Sequence, residues 1–241
     1  MPDSQFRPFE THLDRDAARG ILRNTLIGAD DGELFLERCR SEVLSFDDGR
    51  LRTSSFDASE GFGLRAVQGE TVGYAHSTEV SEQAMHRATG TVRLAIGAGS
   101  GTLAAAPQAT NHKLYSDHNP LTDSTFPAKI DILREIDAYA RNLDRRVVQV
   151  SATIAASHQE VVILRVDGPD VSDSRPMVRM NVSVIVEQDG QRQTGYVGGG
   201  GRYGLNGMLE PTHWQPLVKE SLRIAVLNLA AIPAPDRKSV V

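Results

Sequence analysis

The chain has 241 residues, of which 40% are hydrophobic and 24% are charged, and its formal net charge is −5. These values are ordinary for a globular protein and give no reason to expect a nucleic acid partner. The N-terminus lacks the apolar core of a signal peptide, and no apolar run is long enough to span a membrane. The single cysteine, Cys39, excludes an internal disulfide. We therefore expect a cytoplasmic protein with no membrane partner.

The first part of the chain predicts a helix, a group of strands and a second helix. Residues 14–27 place their apolar side chains on one side of a helix. Over residues 33–77, the turn signals Asp47-Asp48-Gly49 and Gln68-Gly69-Glu70 separate runs of strand-forming residues. We expect four strands there, followed by a helix over residues 81–96.

The second part of the chain also begins with a predicted helix. Asp123, Ser124 and Thr125 are suitable capping residues ahead of Pro127 in a first helical turn. The strands and the closing helix that follow are predicted over 146–155, 160–166, 178–187, 193–197 and 215–229.

This order of elements indicates an α+β protein of two units, each a mostly antiparallel sheet with flanking helices. Residues 97–111 are rich in Gly, Ala, Ser and Thr, which is typical of a linker. The predicted boundaries are an N-terminal helix in 1–30, a first α+β domain in 31–97, a linker in 98–122, a central α+β domain in 123–232 and a tail in 233–241.

The most informative segment, residues 175–205, predicts a β-hairpin that ends in glycines. Residues 178–186 alternate apolar and polar side chains, and Asp189-Gly190 suits a tight turn. Four glycines then end the return strand, where they contribute no side-chain packing. One explanation is that a substrate backbone approaches them closely; the other is a tight structural turn. The candidate substrate-binding residues are Gly198, Gly199, Gly200, Gly201 and Arg202, the last available to a peptide carboxylate.

Signals for metal, nucleotide or covalent chemistry are weak in this sequence. His112, Asp117 and His118 form only a loose cluster in a polar segment, which favours a solvated loop over a zinc site. The glycine run lacks the Gly-Lys-Ser/Thr ending of a phosphate-binding loop. No Gly-x-Ser-x-Gly motif occurs, and no histidine lies suggestively near Cys39. We assign no catalytic residue and no metal ligand to the chain.

Several segments, taken in their order and spacing, carry a resemblance to a known family. They are Gly61–Ala66 (GFGLRA), Lys129–Leu133 (KIDIL), Arg146–Val150 (RVVQV), Arg175–Met180 (RPMVRM), Gly198–Gly204 (GGGGRYG) and Glu220–Arg223 (ESLR). Together they resemble the TldD/PmbA family of zinc metallopeptidases, also called modulators of DNA gyrase. The resemblance covers roughly Gly32 to Pro235, and RPMVRM and GGGGRYG favour the TldD branch.

The resemblance implies a zinc-dependent peptidase acting on peptides or unfolded segments. It also implies a PmbA/TldE-type partner subunit or self-association. The family carries its zinc ligands in a His-Glu-x-x-x-His motif, and no His-Glu dipeptide occurs in these 241 residues. We therefore expect the full-length protein to hold zinc, and this chain alone to bind none and to be inactive. In this interpretation the chain forms walls of the substrate chamber and subunit contacts. The alternative is a non-catalytic partner or scaffold subunit of such a complex.

The last six residues, Asp236–Val241, do not continue the family pattern. A common sequencing-adapter string encodes the same six residues in one frame. We therefore expect an N-terminal fragment that lacks the catalytic domain; a natural divergent tail is the alternative.

Overall fold

A computed structural model describes residues 6–105 and 114–232 of the chain. The helices are α1 Pro8–Thr11, α2 Arg15–Thr25, α3 Glu82–Ile96, α4 Phe126–Leu143, α5 Leu205–Leu209 and α6 Pro211–Leu229. The strands are β1 Asp31–Asp47, β2 Arg50–Gln68, β3 Thr71–Ser77, β4 Val147–Leu164, β5 Val171–Gln188 and β6 Gln191–Gly201. The predicted tail at 233–241 and His112 lie outside the described residues. No helix within the described ranges combines the length and the hydropathy that crossing a membrane requires.

The six strands form one antiparallel sheet in the order β3-β2-β1-β4-β5-β6. This confirms the α+β class, but the strands share one sheet, whereas the sequence analysis assigns a separate sheet to each unit. The difference arises because β2 and β4 continue through residues 57–60 and 156–159, which lie between runs predicted as separate strands. Backbone groups make the hydrogen bonds of a sheet, so polar side chains do not end a strand that has neighbours. Three strands, not four, therefore lie between residues 31 and 77.

Two of the predicted turns have the backbone conformation that their residues suggest. Asp48 and Gly49 join β1 to β2 with φ values of 48° and 76°. Asp189 and Gly190 join β5 to β6 with φ values of 53° and 78°. Positive φ at both central residues is the geometry of the mirror-image turns that favour hairpins. The register of the second hairpin begins at Gln188 opposite Gln191.

The first of two compact units contains the described residues of 1–40, 57–118 and 158–175. Its helices α2 and α3 contact each other, and α3 also packs on β3. Asp14 caps α2 and Ser81 caps α3 by accepting hydrogen bonds from backbone N–H groups. The buried core of this unit comes from these helices and the nearby strands, with Leu22, Leu34, Leu36, Leu64, Met85, Val92 and Leu164 at its centre.

Part of the predicted linker packs against this first unit. The N–H of Gly101 donates to the carbonyl oxygen of Gly28 at 3.0 Å, and the N–H of Ala104 donates to that of Asp30 at 2.7 Å. Residues up to 105 therefore have defined contacts although they form no helix or strand.

The second unit contains the described residues of 41–56, 119–157 and 176–241. Helix α6 packs on β6 and contacts α4. The core joins these helices to the sheet through Leu44, Leu133, Ile136, Val150, Met180, Val182, Val184, Leu205, Trp214 and Val218. Thr125 caps α4 as predicted, by accepting from the N–H of Ala128. Asp123, also predicted to cap α4, instead accepts from the N–H of Leu205 at 2.5 Å, at the start of α5.

Candidate functional site

The hairpin of β5 and β6 has one buried face and one exposed face. The alternating residues Val178, Met180, Val182, Val184 and Val186 are all 0% exposed, which confirms the predicted pattern. On β6, Tyr196, Gly198 and Gly200 are on the exposed face. Because β6 is the last strand of the sheet, this hairpin forms one edge of it.

Helix α6 packs unusually close to the backbone of β6 at Gly195. A Cβ at Gly195 would overlap the backbone carbonyl oxygen of Ser221. The Ser221 hydroxyl donates to the carbonyl oxygens of Gly195 at 2.7 Å and Val182 at 3.2 Å. Gly195 is thus required by helix packing, and α6 fixes the strand that carries the four-glycine run.

The four glycines are part of β6, paired with β5 in the register Val178–Gly201, Arg179–Gly200, Met180–Gly199 and Asn181–Gly198. The strand therefore extends to Gly201, four residues beyond the predicted end at Val197. All four are paired with β5 in a regular strand register and none has a positive φ, so the run is not a tight turn. Their lack of side chains must be explained by what surrounds them.

A side chain would meet a different obstacle at each of the four positions. At Gly200 a Cβ would overlap the carbonyl oxygen of Val178, and at Gly201 it would lie 2.5 Å from the Tyr203 ring. At Gly199 it would touch only Leu217, at 3.5 Å, which is an ordinary contact. At Gly198 it would overlap the Oδ1 of Asn181 and lie 3.2 Å from a terminal nitrogen of Arg179.

The exposed face carries a polar cluster directly above Gly198, formed by Arg179, Asn181 and Tyr196. The Nε of Arg179 donates to the Oδ1 of Asn181 at 2.9 Å, and the Tyr196 hydroxyl donates to the same oxygen at 2.8 Å. Gly198 leaves the space in which these side chains lie. No motif in the sequence points to these three residues, although counting outward from the Asp189-Gly190 turn places Asn181 opposite Gly198.

Arg202, the remaining candidate residue, lies just beyond β6 in a bend and is exposed. The four glycines and Arg202 are thus consecutive at one end of the edge strand. The hairpin also brings together the RPMVRM and GGGGRYG segments, which are neighbours through the pairing of Arg179 with Gly200.

The described residues offer no metal site. Within residues 6–105 and 114–232, no three His, Cys, Asp or Glu side chains lie close enough to share an ion. Of the predicted loose cluster, Asp117 and His118 belong to the described residues, whereas His112 does not. Zinc therefore does not fit the residues that the structure describes.

One serine–histidine pair was missed by the sequence analysis, because its members lie on different strands. The Oγ of Ser174 is 2.7 Å from the Nε2 of His158, and the Nδ1 of His158 is 3.7 Å from Glu160. However, Nδ1 also lies 3.4 Å from the Nη2 of Arg40, and arginine can only donate. The arginine contact thus favours the tautomer in which Nδ1 accepts and Nε2 carries the proton that is donated to Ser174.

In this tautomer His158 does not act as a base toward Ser174. The Ser174 hydroxyl instead donates to the backbone carbonyl oxygen of Asp117 at 3.4 Å. Cys39 is no better as a nucleophile, because burial and then the Glu37 carboxylate raise the pKa of its thiol. Neither residue has the environment of a covalent catalyst.

Two family models match the chain. The PmbA/TldA metallopeptidase domain 1 matches residues 32–95, and the PmbA/TldA metallopeptidase central domain matches residues 119–229. The first match ends close to the end of α3, and the second begins seven residues before α4.

Curated relatives are similar over most of this chain. The metalloprotease TldD homolog of Haemophilus influenzae is 34% identical over 214 residues, which are 86% of this chain and 44% of the relative. The corresponding protein of Buchnera aphidicola subsp. Acyrthosiphon pisum is 31% identical over 212 residues, 84% of this chain and 43% of the relative. The chain thus spans less than half the length of these relatives.

Solved structures share the fold. A proposed modulator of a DNA gyrase from Thermotoga maritima superimposes with a TM-score of 0.72 at 13% identity, over 92% of this chain and 49% of that one. TldE from Thermococcus kodakarensis superimposes with a TM-score of 0.64 at 14% identity, over 86% of this chain and 46% of that one. The domain models and the sequence relatives point to the same family as the sequence motifs do. The chain belongs to the PmbA/TldD family of metallopeptidases.

Proposed function

We propose that this chain supplies the peptide-binding surface of a zinc-dependent metallopeptidase that acts on peptides or unfolded segments. The observation that carries the proposal is the position of the glycine run on β6, the edge strand next to β5. In this proposal Gly198–Gly201 and Arg202 line the wall of the substrate chamber.

An edge strand suits an extended peptide, because its outer backbone N–H and C=O groups can pair with an added strand. Among the described residues, β6 has β5 as its only strand neighbour. Gly198 and Gly200 carry no side chain of their own on the exposed face, so no β6 side chain stands between this part of the strand and a peptide, although the end of the Arg179 side chain lies over Gly198. The rest of the hairpin is held firmly by α6, which keeps this edge in place before a peptide arrives.

The zinc, the partner and the compartment are further parts of the same proposal. Zinc would be held outside the described residues, in the His-Glu-x-x-x-His motif of a longer protein, so these 241 residues alone should not cleave peptides. A PmbA/TldE-type subunit, or a second copy of the chain, would complete the substrate chamber. The complex would act in the cytoplasm.

Hydrogen exchange on the 241-residue chain tests the peptide-binding part. A fluorescein-labelled extended peptide is titrated by anisotropy, and amide exchange is then compared with and without it. We expect slower exchange in β6 and no change in β3, the opposite edge of the same sheet, which is the internal control. Binding without protection of β6, equal protection of both edges, or no binding at all would overturn the proposal.

The non-catalytic partner or scaffold role is a second candidate, because the fold also superimposes on TldE. Zinc content and peptide cleavage, measured on the protein expressed from the intact gene, separate the two. One zinc per chain with cleavage supports the peptidase. Stable assembly with a TldD-type protein, without zinc or cleavage of its own, supports the scaffold.

A further inference from the structure

The side chain of Arg179 reaches from β5 across the backbone of β6 at Gly198. Its Cα is paired with that of Gly200, yet a Cβ at Gly198 would lie 3.2 Å from its Nη2. The guanidinium group therefore covers Gly198 on the exposed face of the hairpin. Neighbouring strands are about 4.8 Å apart, so the group is displaced by one strand toward the sheet edge.

Asn181 holds this guanidinium in place, and Tyr196 in turn holds the Asn181 side chain. Asn181 accepts from its Nε at 2.9 Å, and the Tyr196 hydroxyl donates to the same amide oxygen at 2.8 Å. Only Nε is used in this way, and Nη1 and Nη2 make no hydrogen bond to any residue that the structure describes. A guanidinium held in advance loses less side-chain entropy when it binds a ligand.

The free edge of a guanidinium is suited to a carboxylate, which it binds through two parallel N–H···O bonds. A peptide strand added beside β6 would place alternate side chains on the face where Arg179 lies. The side chain beside Gly198 would meet the guanidinium with no β6 side chain between them. A lysine could supply the positive charge there but not the pair of parallel N–H donors that matches a carboxylate.

We propose that Arg179, anchored by Asn181 over Gly198, binds a carboxylate of the peptide and gives this edge a preference for acidic substrates. The inference rests on the proposed peptide-binding function of β6. The carboxylate is either an Asp or Glu side chain or the C-terminus of the peptide. Arg179 is a specificity residue in this role, and it takes no part in bond cleavage.

The test measures binding of short fluorescein-labelled peptides to the 241-residue chain. One pair of peptides differs only by Glu or Gln at a central position, and a second pair only by a free or amidated C-terminus. We expect one acidic member to bind about fivefold more tightly than its neutral match, as an exposed ion pair allows. The pair that shows the difference identifies the source of the carboxylate.

Three variants assign the preference to Arg179. Arg179→Gln should abolish it, and Arg179→Lys should retain only part of it. Gly198→Ala should also weaken it, because the added Cβ displaces the ends of the Arg179 and Asn181 side chains. The matched control is Arg192→Gln, which changes an exposed arginine of β6 that pairs with Glu187 near the turn of the same hairpin, and it should leave the preference unchanged.

The outcomes separate this inference from the proposed function. Binding of all peptides with no difference between acidic and neutral members would overturn the role of Arg179 alone. A difference that persists in Arg179→Gln would overturn it as well. If the unmodified chain binds none of the peptides, the proposed function is overturned, and this inference with it.

Discussion

Lys129 on α4 forms an ion pair with Glu42 on β1 while its own side chain is only 2% exposed. Glu42 is 19% exposed, so the two charges differ in their access to water. Lys129 lies on the same helical face as Leu133, Ile136 and Ala140, all of which are buried. The pair thus inserts a charged contact into the otherwise apolar interface between helix and sheet in this unit.

We predict that the two halves of this pair differ in importance. Glu42→Gln leaves a buried ammonium without its counterion and should lower the free energy of unfolding by about 3 kcal/mol. Lys129→Met should cost less, about 1 kcal/mol, because Glu42 remains partly hydrated and the methionine fills the same space. Urea unfolding of the two variants checks this. Equal losses, or a larger loss for Lys129→Met, would contradict it.

The sequence contained part of this information. Helical spacing predicts that Ile130, Leu133, Ile136, Ala140 and Leu143 share one apolar face of α4. The first four are buried, whereas Leu143 is 41% exposed. This pattern passed over Lys129 because a charged residue is rarely buried. The sequence did offer one signal for the ion pair, because both charged residues occupy core-facing positions. Glu42 is two residues from the buried Leu44 on β1, so their side chains lie on the same face of the strand. The proximity of Lys129 and Glu42 could not be known before β1 and α4 were placed in one unit.

The glycine run provides a second prediction. Gly200→Ala should destabilise the chain by about 1–3 kcal/mol, because its Cβ would overlap the backbone oxygen of Val178 and approach the Cα of Arg179 to 3.0 Å. Gly199→Ala is the matched control, since its Cβ would only touch Leu217 at 3.5 Å, and it should be neutral or slightly stabilising. Thermal melts of both variants distinguish the positions. Equal melting temperatures would show that the strand shifts to accept Gly200→Ala.

The hairpin shows where sequence reasoning succeeded and where it stopped. The alternation of apolar and polar residues correctly predicted the buried face of β5. The Asp189-Gly190 turn correctly predicted that β5 pairs with β6. The prediction that four glycines end the return strand is confirmed, but the range 193–197 assigned to this strand was too short, because glycines have low strand propensity by themselves. They remain in the strand because β5 supplies a partner for each of them. The position of the Arg179 guanidinium over Gly198 is known only from side-chain coordinates, which no sequence pattern specifies.

Cys39 should react slowly with thiol reagents at neutral pH. Its pKa is raised first by burial and then by the negative charge of Glu37, so little thiolate is present. Glu37→Gln removes the charge and should shift the pH profile of iodoacetamide alkylation to lower pH. The expected increase in rate at pH 8 is about two- to threefold.

The variant keeps an oxygen that can accept the 2.8 Å hydrogen bond from Gln159, so local structure is preserved. Glu33→Gln, on the same strand but farther from Cys39, serves as the control. An unchanged profile in Glu37→Gln, or the same shift in Glu33→Gln, would refute the electrostatic explanation.

Asp47 should make the stability of the chain depend on pH in the acid range. Its Oδ1 accepts from the Ser151 hydroxyl at 2.6 Å and from the Gln149 amide at 2.9 Å, and these bonds, with Arg52 nearby, hold its pKa below the usual value. A lowered pKa means that the folded state favours the ionised form. The stabilisation is therefore fully present above the unfolded pKa of about 3.9 and is lost as the pH falls through the lower, folded pKa.

Asp47→Ala should cost about 1 kcal/mol at pH 7, and this difference from the unmodified chain should shrink toward about pH 2. Urea midpoints measured across this range test the prediction, with the more exposed Asp131→Ala as control; a difference that stays constant with pH would disprove it.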